Sequence, residues 1–301
     1  MGYIPHISHV RNMKNQNLIL AVPSKGRLRK PTLRLLAKAG VAPANGHARS
    51  LYSPTVIPQL SIVAVRASDI PRLVEAGAAD LGITGYDFIV ESGAKVRELL
   101  DLQYGFSRMV LAVPESSPIS SPKDLKGVRV ATKFPSIARR YLKARGVEAS
   151  VVKVSGAAEI APTLGIAEAI IDITSTGTTL RLHKLKIIDE ILTSTARLIA
   201  SSQALRLKRR RVEEVSTALL SVLRAKRKKL IMMNVPEERL GRVVKLIPSM
   251  AGPTIAKVES KPPMWEVYSV IDEKDVYEVI NRVKAAGARD ILVLPIERIV
   301  P

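Results

Sequence analysis

The chain has 301 residues, with 47 Lys and Arg against 27 Asp and Glu, a formal charge of +20. At 47% hydrophobic and 25% charged it has the composition of a folded globular protein, which excludes a disordered or fibrous chain. The lack of cysteine excludes a disulfide framework, a thiolate metal site and a Cys nucleophile, and no run approaches the ~18 apolar residues of a membrane helix.

Residues 1–16 read as a polar extension without a signal-peptide core. From Leu18 onward, short apolar runs alternate with helical patterns. Residues 18–22, 60–65, 81–84, 109–113, 128–131, 151–154, 169–173 and 196–200 are strand candidates. Helical spacing marks residues 28–39, 69–76 and 137–144. Continuous apolar runs separated by helices predict parallel sheet buried on both faces. A Pro- and Ser-rich break at residues 114–122 divides the runs, so two α/β lobes with a ligand cleft between them are expected. Lobe I takes residues 17–107 and 186–228, and lobe II takes 108–185.

Residues 206–229 hold ten Lys and Arg against Glu213 and Glu214, with Val212, Val215, Leu219, Leu220 and Leu223 at helical spacing. This predicts one long amphipathic helix with a basic solvated face. The charge favours a polyanionic ligand, yet no aromatic ring lies in the stretch to stack bases, so no nucleic acid is expected. Beyond it, residues 230–234, 237–246, 254–258, 265–271, 274–286 and 291–294 read strand, helix, strand, strand, helix, strand. That βαββαβ order is ferredoxin-like and predicts a separate domain over residues 229–301.

Three segments offer chemistry. In the first, the apolar run 169–173 carries Asp172 and leads into Thr174, Ser175, Thr176, Gly177, Thr178 and Thr179 before a short helical pattern. Such a loop holds a phosphate monoester with backbone N–H groups and hydroxyls; a Thr-rich helix cap is the competing reading. The second is Lys25, Gly26 and Arg27, which follow the first strand and place fixed charge where parallel sheets bind ligands. A plain surface turn reads the same way. The third brings Asp69, with Ser68, to one strand end and Gly85 and Asp87 to another; Ser68 or Asp69 also reads as a helix cap. The four histidines form no metal pair, and neither GxSxG nor GxGxxG is present.

Taken in register, LAVPSKGRL (residues 20–28), the stretch from Val65 to Asp87, residues 128–142 and EIAPTLGIAEAIIDITSTGTTL (residues 159–180) resemble the ATP phosphoribosyltransferase family of histidine biosynthesis. MMNVP (232–236), GPTIAKV (252–258) and residues 285–299 resemble the C-terminal regulatory domain of its long form. Glu168, Gln103 and Thr174 depart from the residues usual in that family. The resemblance implies a periplasmic-binding-protein-like catalytic region plus an ACT-like, ferredoxin-like domain. It implies that N1 of the ATP adenine displaces pyrophosphate from C1 of phosphoribosyl pyrophosphate (PRPP). Asp172, Ser175, Thr176, Gly177, Thr178, Thr179 and Glu159 would then face PRPP. Lys25, Gly26, Arg27, Asp69, Gly85 and Asp87 would face ATP, with Lys25, Arg27 and Asp172 the catalytic set.

Mg²⁺ would ride mainly on the pyrophosphate rather than on a protein cage. L-Histidine would inhibit through Asn234, Met250, Gly252, Thr254, Ile271 and Asp290. A cytoplasmic homo-oligomer, dimer to hexamer, is expected, with no membrane partner. The rival reading is a non-catalytic two-lobed solute binder or ligand sensor.

Overall fold

The computed structural model describes residues 17–44, 52–248 and 252–300; the extension 1–16 lies outside them. The chain forms two compact units, Met1–Ser216 and Thr217–Pro301.

The first unit contains two sheets. One is built from β1 (Leu18–Pro23), β2 (Tyr52–Pro54), β3 (Leu60–Val65), β4 (Leu81–Gly85) and β5 (Arg97–Asp101). The other comprises β6 (Ser107–Pro114), β7 (Arg129–Thr132), β8 (Ser150–Lys153), β9 (Ala169–Thr174) and β10 (Leu185–Ser194). The chain then returns to the first sheet as β11 (Ala196–Ala200). The strand orders are β2-β3-β1-β4-β11-β5 and β10-β6-β9-β7-β8. Residues 102–106 make the first crossing between lobes and Thr195 the second.

Alternate residues of the 109–113 run explain the second sheet. Met109, Leu111 and Val113 pack on one face with Ile137, Ala138, Tyr141 and Leu142 of a helix, Pro135–Ala144. Val110 and Ala112 pack on the other face with Ile170, Leu180 and Leu185. Pro135 suits the first turn of that helix, where its missing N–H costs nothing. Leu142→Ala would empty a filled site, at about 2–5 kcal/mol.

Several expectations change. The sheets are mixed, not parallel: β11 runs antiparallel to β4 and β5, and β6 antiparallel to β9 and β10. Lobe II therefore extends through Ser194, because β10 pairs along β6, and the boundary at residue 186 moves to the second crossing. The basic stretch is not one helix. It comprises α-helices Ser202–Leu207 and Arg209–Ala225, and its second cluster enters a strand at Lys228. That longer helix runs through the point where the two units divide.

In the second unit, β12 (Lys228–Pro236), β13 (Thr254–Val258), β14 (Met264–Asp272) and β15 (Arg289–Pro295) stand in the order β13-β14-β12-β15, antiparallel throughout. With helices Leu240–Val244 and Val276–Ala285 between them, this is the ferredoxin-like arrangement the sequence predicts. Ile231, Met233 and Val235 point inward at every second position. They meet Val267 and Ile271 and, from the helices, Val243, Val279 and Val283.

Candidate active site

Asp172 lies near the end of β9, half-buried. Burial pushes its carboxyl above the ordinary 3.8, with the Ile173 N–H and Lys133 opposing that shift and Glu159 adding to it. Lys133, just past β7, runs along Gly156, its Cε 3.8 Å from where a Cβ there would stand. Immediately after β9 the chain turns through Gly177 at φ 76°, a left-handed conformation that suits glycine. The Thr174 hydroxyl closes this turn by accepting the Gly177 N–H at 2.9 Å. Thr176 and Thr178 share a 2.9 Å hydroxyl contact, and Arg181 reaches back to the Thr176 carbonyl and Thr178 Oγ1, each at 3.2 Å. Ser175, Thr176, Thr178 and Thr179 are all exposed. This is an open rim of hydroxyls around a tight turn, beside a carboxylate held in low dielectric.

The Lys25–Arg27 turn has a different character. Lys25 is exposed and Gly26 takes φ 80°. Arg27, by contrast, is engaged. It donates to the Gly105 carbonyl on the first crossing and pairs with Asp87 at 3.3 Å. Asp87 is fully buried and accepts the Ser194 hydroxyl at 2.8 Å, while its own N–H donates to that same oxygen. Asp87 thus holds Arg27 and the second crossing and has no face open to a ligand, contrary to its expected place in a nucleotide cleft. Gly85 is required beside it, since a Cβ there would collide with the Asp87 carboxylate.

Asp69 stands exposed at the start of helix Ile70–Glu75, accepting the Ser68 hydroxyl at 2.9 Å. It occupies the N-cap position, though its side chain makes no capping hydrogen bond. Beside it, Thr84 donates to the Ala67 carbonyl and ties the ends of β3 and β4 together.

In the second unit Asn234 donates to Asp290 at 3.0 Å, so two of the expected effector residues meet. Asp290 adopts φ 49° next to a register shift between β12 and β15, a strained position for a residue with a side chain. Gly252 and Thr254 are exposed at the start of β13. Ile271 does not belong with them. It is in the core, opposite Lys229, while Asn234 pairs with Glu266 five positions along the same strand. Met250 lies outside the described residues.

A family model described as ATP phosphoribosyltransferase matches residues 66–221, and a second, described as HisG, C-terminal domain, matches 225–298. This chain belongs to the ATP phosphoribosyltransferase family. It carries both parts of the long form, and the family is a glycosyltransferase group of histidine biosynthesis. The ATP phosphoribosyltransferase of Ignicoccus hospitalis is 52% identical, covering 93% of this chain and 99% of its own. That of Methanopyrus kandleri is 50% identical, covering 94% and 100%. Among solved structures, a chain of the ATP phosphoribosyl transferase (HisG:HisZ) complex from Thermotoga maritima superposes with a TM-score of 0.60. It is 31% identical and covers 67% of this chain and 98% of that one.

For an ATP phosphoribosyltransferase, the sequence left unseen the part played by five side chains around the site. Lys133 could have been found from its position, two residues past the strand candidate that became β7. Arg181 could have been found from its place four residues past Gly177. Thr174, named in the loop and as a departure from the family, proves to be the residue that closes the turn. Ser194 and Tyr104 have no local signal, because their partners Asp87 and Thr32 are 107 and 72 residues away.

Proposed function

We propose that the first unit condenses ATP with PRPP, N1 of the adenine attacking C1 of the ribose as pyrophosphate leaves. The supporting observation is the open hydroxyl turn at Gly177 set directly beyond a half-buried Asp172. In this reading Ser175, Thr176, Gly177, Thr178 and Thr179 hold the 5-phosphate, Asp172 accepts from the ribose hydroxyls, and Glu159 faces the same pocket. Lys25 and Gly26 meet the polyphosphate of ATP or the leaving pyrophosphate, with Asp69 and Gly85 along the nucleotide side. Arg27 serves the same charge from its anchored position. The transition state is oxocarbenium-like and the leaving group a polyanion, so fixed charge and hydrogen-bond donors carry the rate without a covalent nucleophile.

Among the described residues, no three metal-ligating side chains gather. Asp172 and Glu159 feel each other's charge, and Mg²⁺ would need only one such carboxylate, since it keeps its waters and binds substrate phosphates. When bound with PRPP, the ion neutralises charge on the departing pyrophosphate. The test is pyrophosphate release that requires ATP, PRPP and Mg²⁺ together; release in the absence of ATP would defeat the reading.

The second unit, in the same proposal, binds L-histidine at Asn234, Asp290, Gly252 and Thr254 and lowers activity from there. Asn234→Ala and Asp290→Ala in the full chain should keep turnover and lose histidine inhibition. A cytoplasmic homo-oligomer, dimer to hexamer, completes the proposal. Among the described residues no helix is long and apolar enough to cross a membrane.

A further inference from the structure

The first crossing between the lobes is gripped from both sides by the two elements assigned to the substrates' phosphates. From lobe I, Arg27 donates to the Gly105 carbonyl, and Leu28 fills the space where a side chain at Gly105 would stand. Thr32, one helical turn further on, shares a 2.7 Å hydroxyl contact with Tyr104. From lobe II, the Ser175 hydroxyl donates to the Phe106 carbonyl at 3.2 Å. Three consecutive residues therefore connect the hydroxyl turn to the Lys25–Arg27 turn. The second crossing joins the same network, because Ser194 donates to Asp87, which pairs with Arg27. Opposite Ser194 in the β6–β10 pairing, the Ser107 hydroxyl is buried and has no partner among the described residues. The present arrangement of the lobes thus leaves a buried donor unused.

We propose that Tyr104, Gly105 and Phe106 form a positioning element that couples the two subsites, so that filling the hydroxyl turn sets the Lys25–Arg27 turn for its own polyphosphate. This rests on the assignment of the Gly177 turn to the 5-phosphate. The physical step is a competition for one hydrogen. A serine hydroxyl has a single O–H to donate, and a charged phosphate oxygen is a stronger acceptor than a peptide carbonyl. When phosphate arrives, Ser175 turns to it and the Phe106 carbonyl loses its tie to lobe II. The crossing is then held from lobe I, through Arg27, Leu28 and Thr32 and through the β11 backbone, where the Ala196 N–H donates to the Tyr104 carbonyl at 2.9 Å. It contains two left-handed residues, Gln103 at φ 56° and Gly105 at φ 67°, and the Phe106 side chain is exposed. These are features of a segment that absorbs rotation between lobes. Any movement of the crossing is passed to Arg27, because its guanidinium is bonded to that backbone. Coupling of this kind is reciprocal, so ATP should also tighten the grip on the sugar phosphate.

Ribose 5-phosphate is the probe, since it fills the turn but has no leaving group and cannot react. The affinity of the full-length protein for ATP is measured by calorimetry with and without saturating ribose 5-phosphate. The expected result is a tightening of about five-fold or more. Tyr104→Phe, which removes one hydroxyl, and Thr32→Val should each reduce that factor below about two-fold, with coupling lost rather than binding. Both should leave the affinity for ribose 5-phosphate alone, and the melting temperature, close to those of the parent. If ATP affinity ignores ribose 5-phosphate in the parent protein, or if both variants keep the full tightening, the coupling is wrong and the site assignment survives. If ribose 5-phosphate binding is insensitive to both Ser175→Ala and Gly177→Val, the assignment of the turn fails, and the coupling fails with it.

Discussion

The two turns that face the proposed substrates solve the problem of holding a polyanion in opposite ways. The Gly177 turn presents many weak, neutral donors, two of which, Thr176 and Thr178, meet each other while Ser175 holds the Phe106 carbonyl, and none of its four flanking hydroxyl residues is buried. The Lys25–Arg27 turn presents two full charges. One, Lys25, is free to swing in solvent, while the other is anchored to the buried Asp87 and to backbone on the crossing. The first design fixes where a phosphate sits, because backbone and short hydroxyls cannot wander. The second sets how strongly charge is felt and lets hinge geometry decide where.

The sharpest way to break that comparison is at Gly177. Gly177→Val forces a branched residue into φ 76° and places a Cβ 3.2 Å from the Arg181 guanidinium. Turnover should fall by about 100-fold or more, as when a preorganised donor is removed, with the fold retained by circular dichroism. Asp172→Ala should be similarly inactive. Near-normal turnover in either variant would remove the turn from the site.

Next come the two cations. Arg27→Ala leaves Asp87 buried beside Ser194 without its counter-charge, which should cost about 1–3 kcal/mol of stability as well as raising KM for ATP. Lys25→Ala should raise KM without moving the melting temperature. Equal effects of the two on thermal stability would show that the anchoring of Arg27 is not what distinguishes them.

A subtler contrast concerns Asp172 and pH. Burial raises its pKa above 3.8, so between that value and the raised one the folded protein keeps a proton that the unfolded chain has released. Stability therefore falls as pH rises through this window and stays lower above it. Asp172→Asn should be more stable than the parent at neutral pH, show little difference at pH below 3.8, and be inactive. Denaturant titrations at both pH values decide the matter. The smallest expected effect is on salt. Attraction between exposed charges is screened over ~8–10 Å at physiological ionic strength. ATP binding should thus weaken more steeply with salt than ribose 5-phosphate binding, and Lys25→Ala should flatten the ATP curve.

What the sequence made legible follows the chemistry of burial. All eight apolar runs are strands, most of them well covered, so that they cannot hide their composition; the edge strand β8 is the exception, apolar in sequence yet half-buried or exposed. The two longer strands that went unseen, β5 and β10, are edge strands whose residues are mostly half-buried or exposed, as in RELLD and LKIIDEILTS. Their polar positions face solvent and blur the pattern. The turn at Asp172–Thr179 was visible because strand, glycine and hydroxyls are adjacent in the chain. The burial of Asp87 was not, since its partners Arg27 and Ser194 come from distant segments. Ile271 was misplaced for a related reason. Alternation with Val267 and Ser269 points it inward, and a motif match carries no information about which face of a strand a residue occupies.

The strand order has a consequence for how the protein is made. Lobe II is a single uninterrupted stretch, from β6 to β10, so every partner it needs is at hand once Ser194 has left the ribosome. Lobe I is not so placed. Its strand β5 has one neighbour in the sheet, β11, which is synthesised only after the whole of lobe II. During translation the earlier-made lobe must therefore wait, with an unpaired edge at β4 and β5, for the later-made lobe to be finished. Unpaired strand edges are what chaperones and aggregation compete for. A ribosome stalled between Ser194 and Ala200 should accordingly carry a protected second lobe and a protease-sensitive first one.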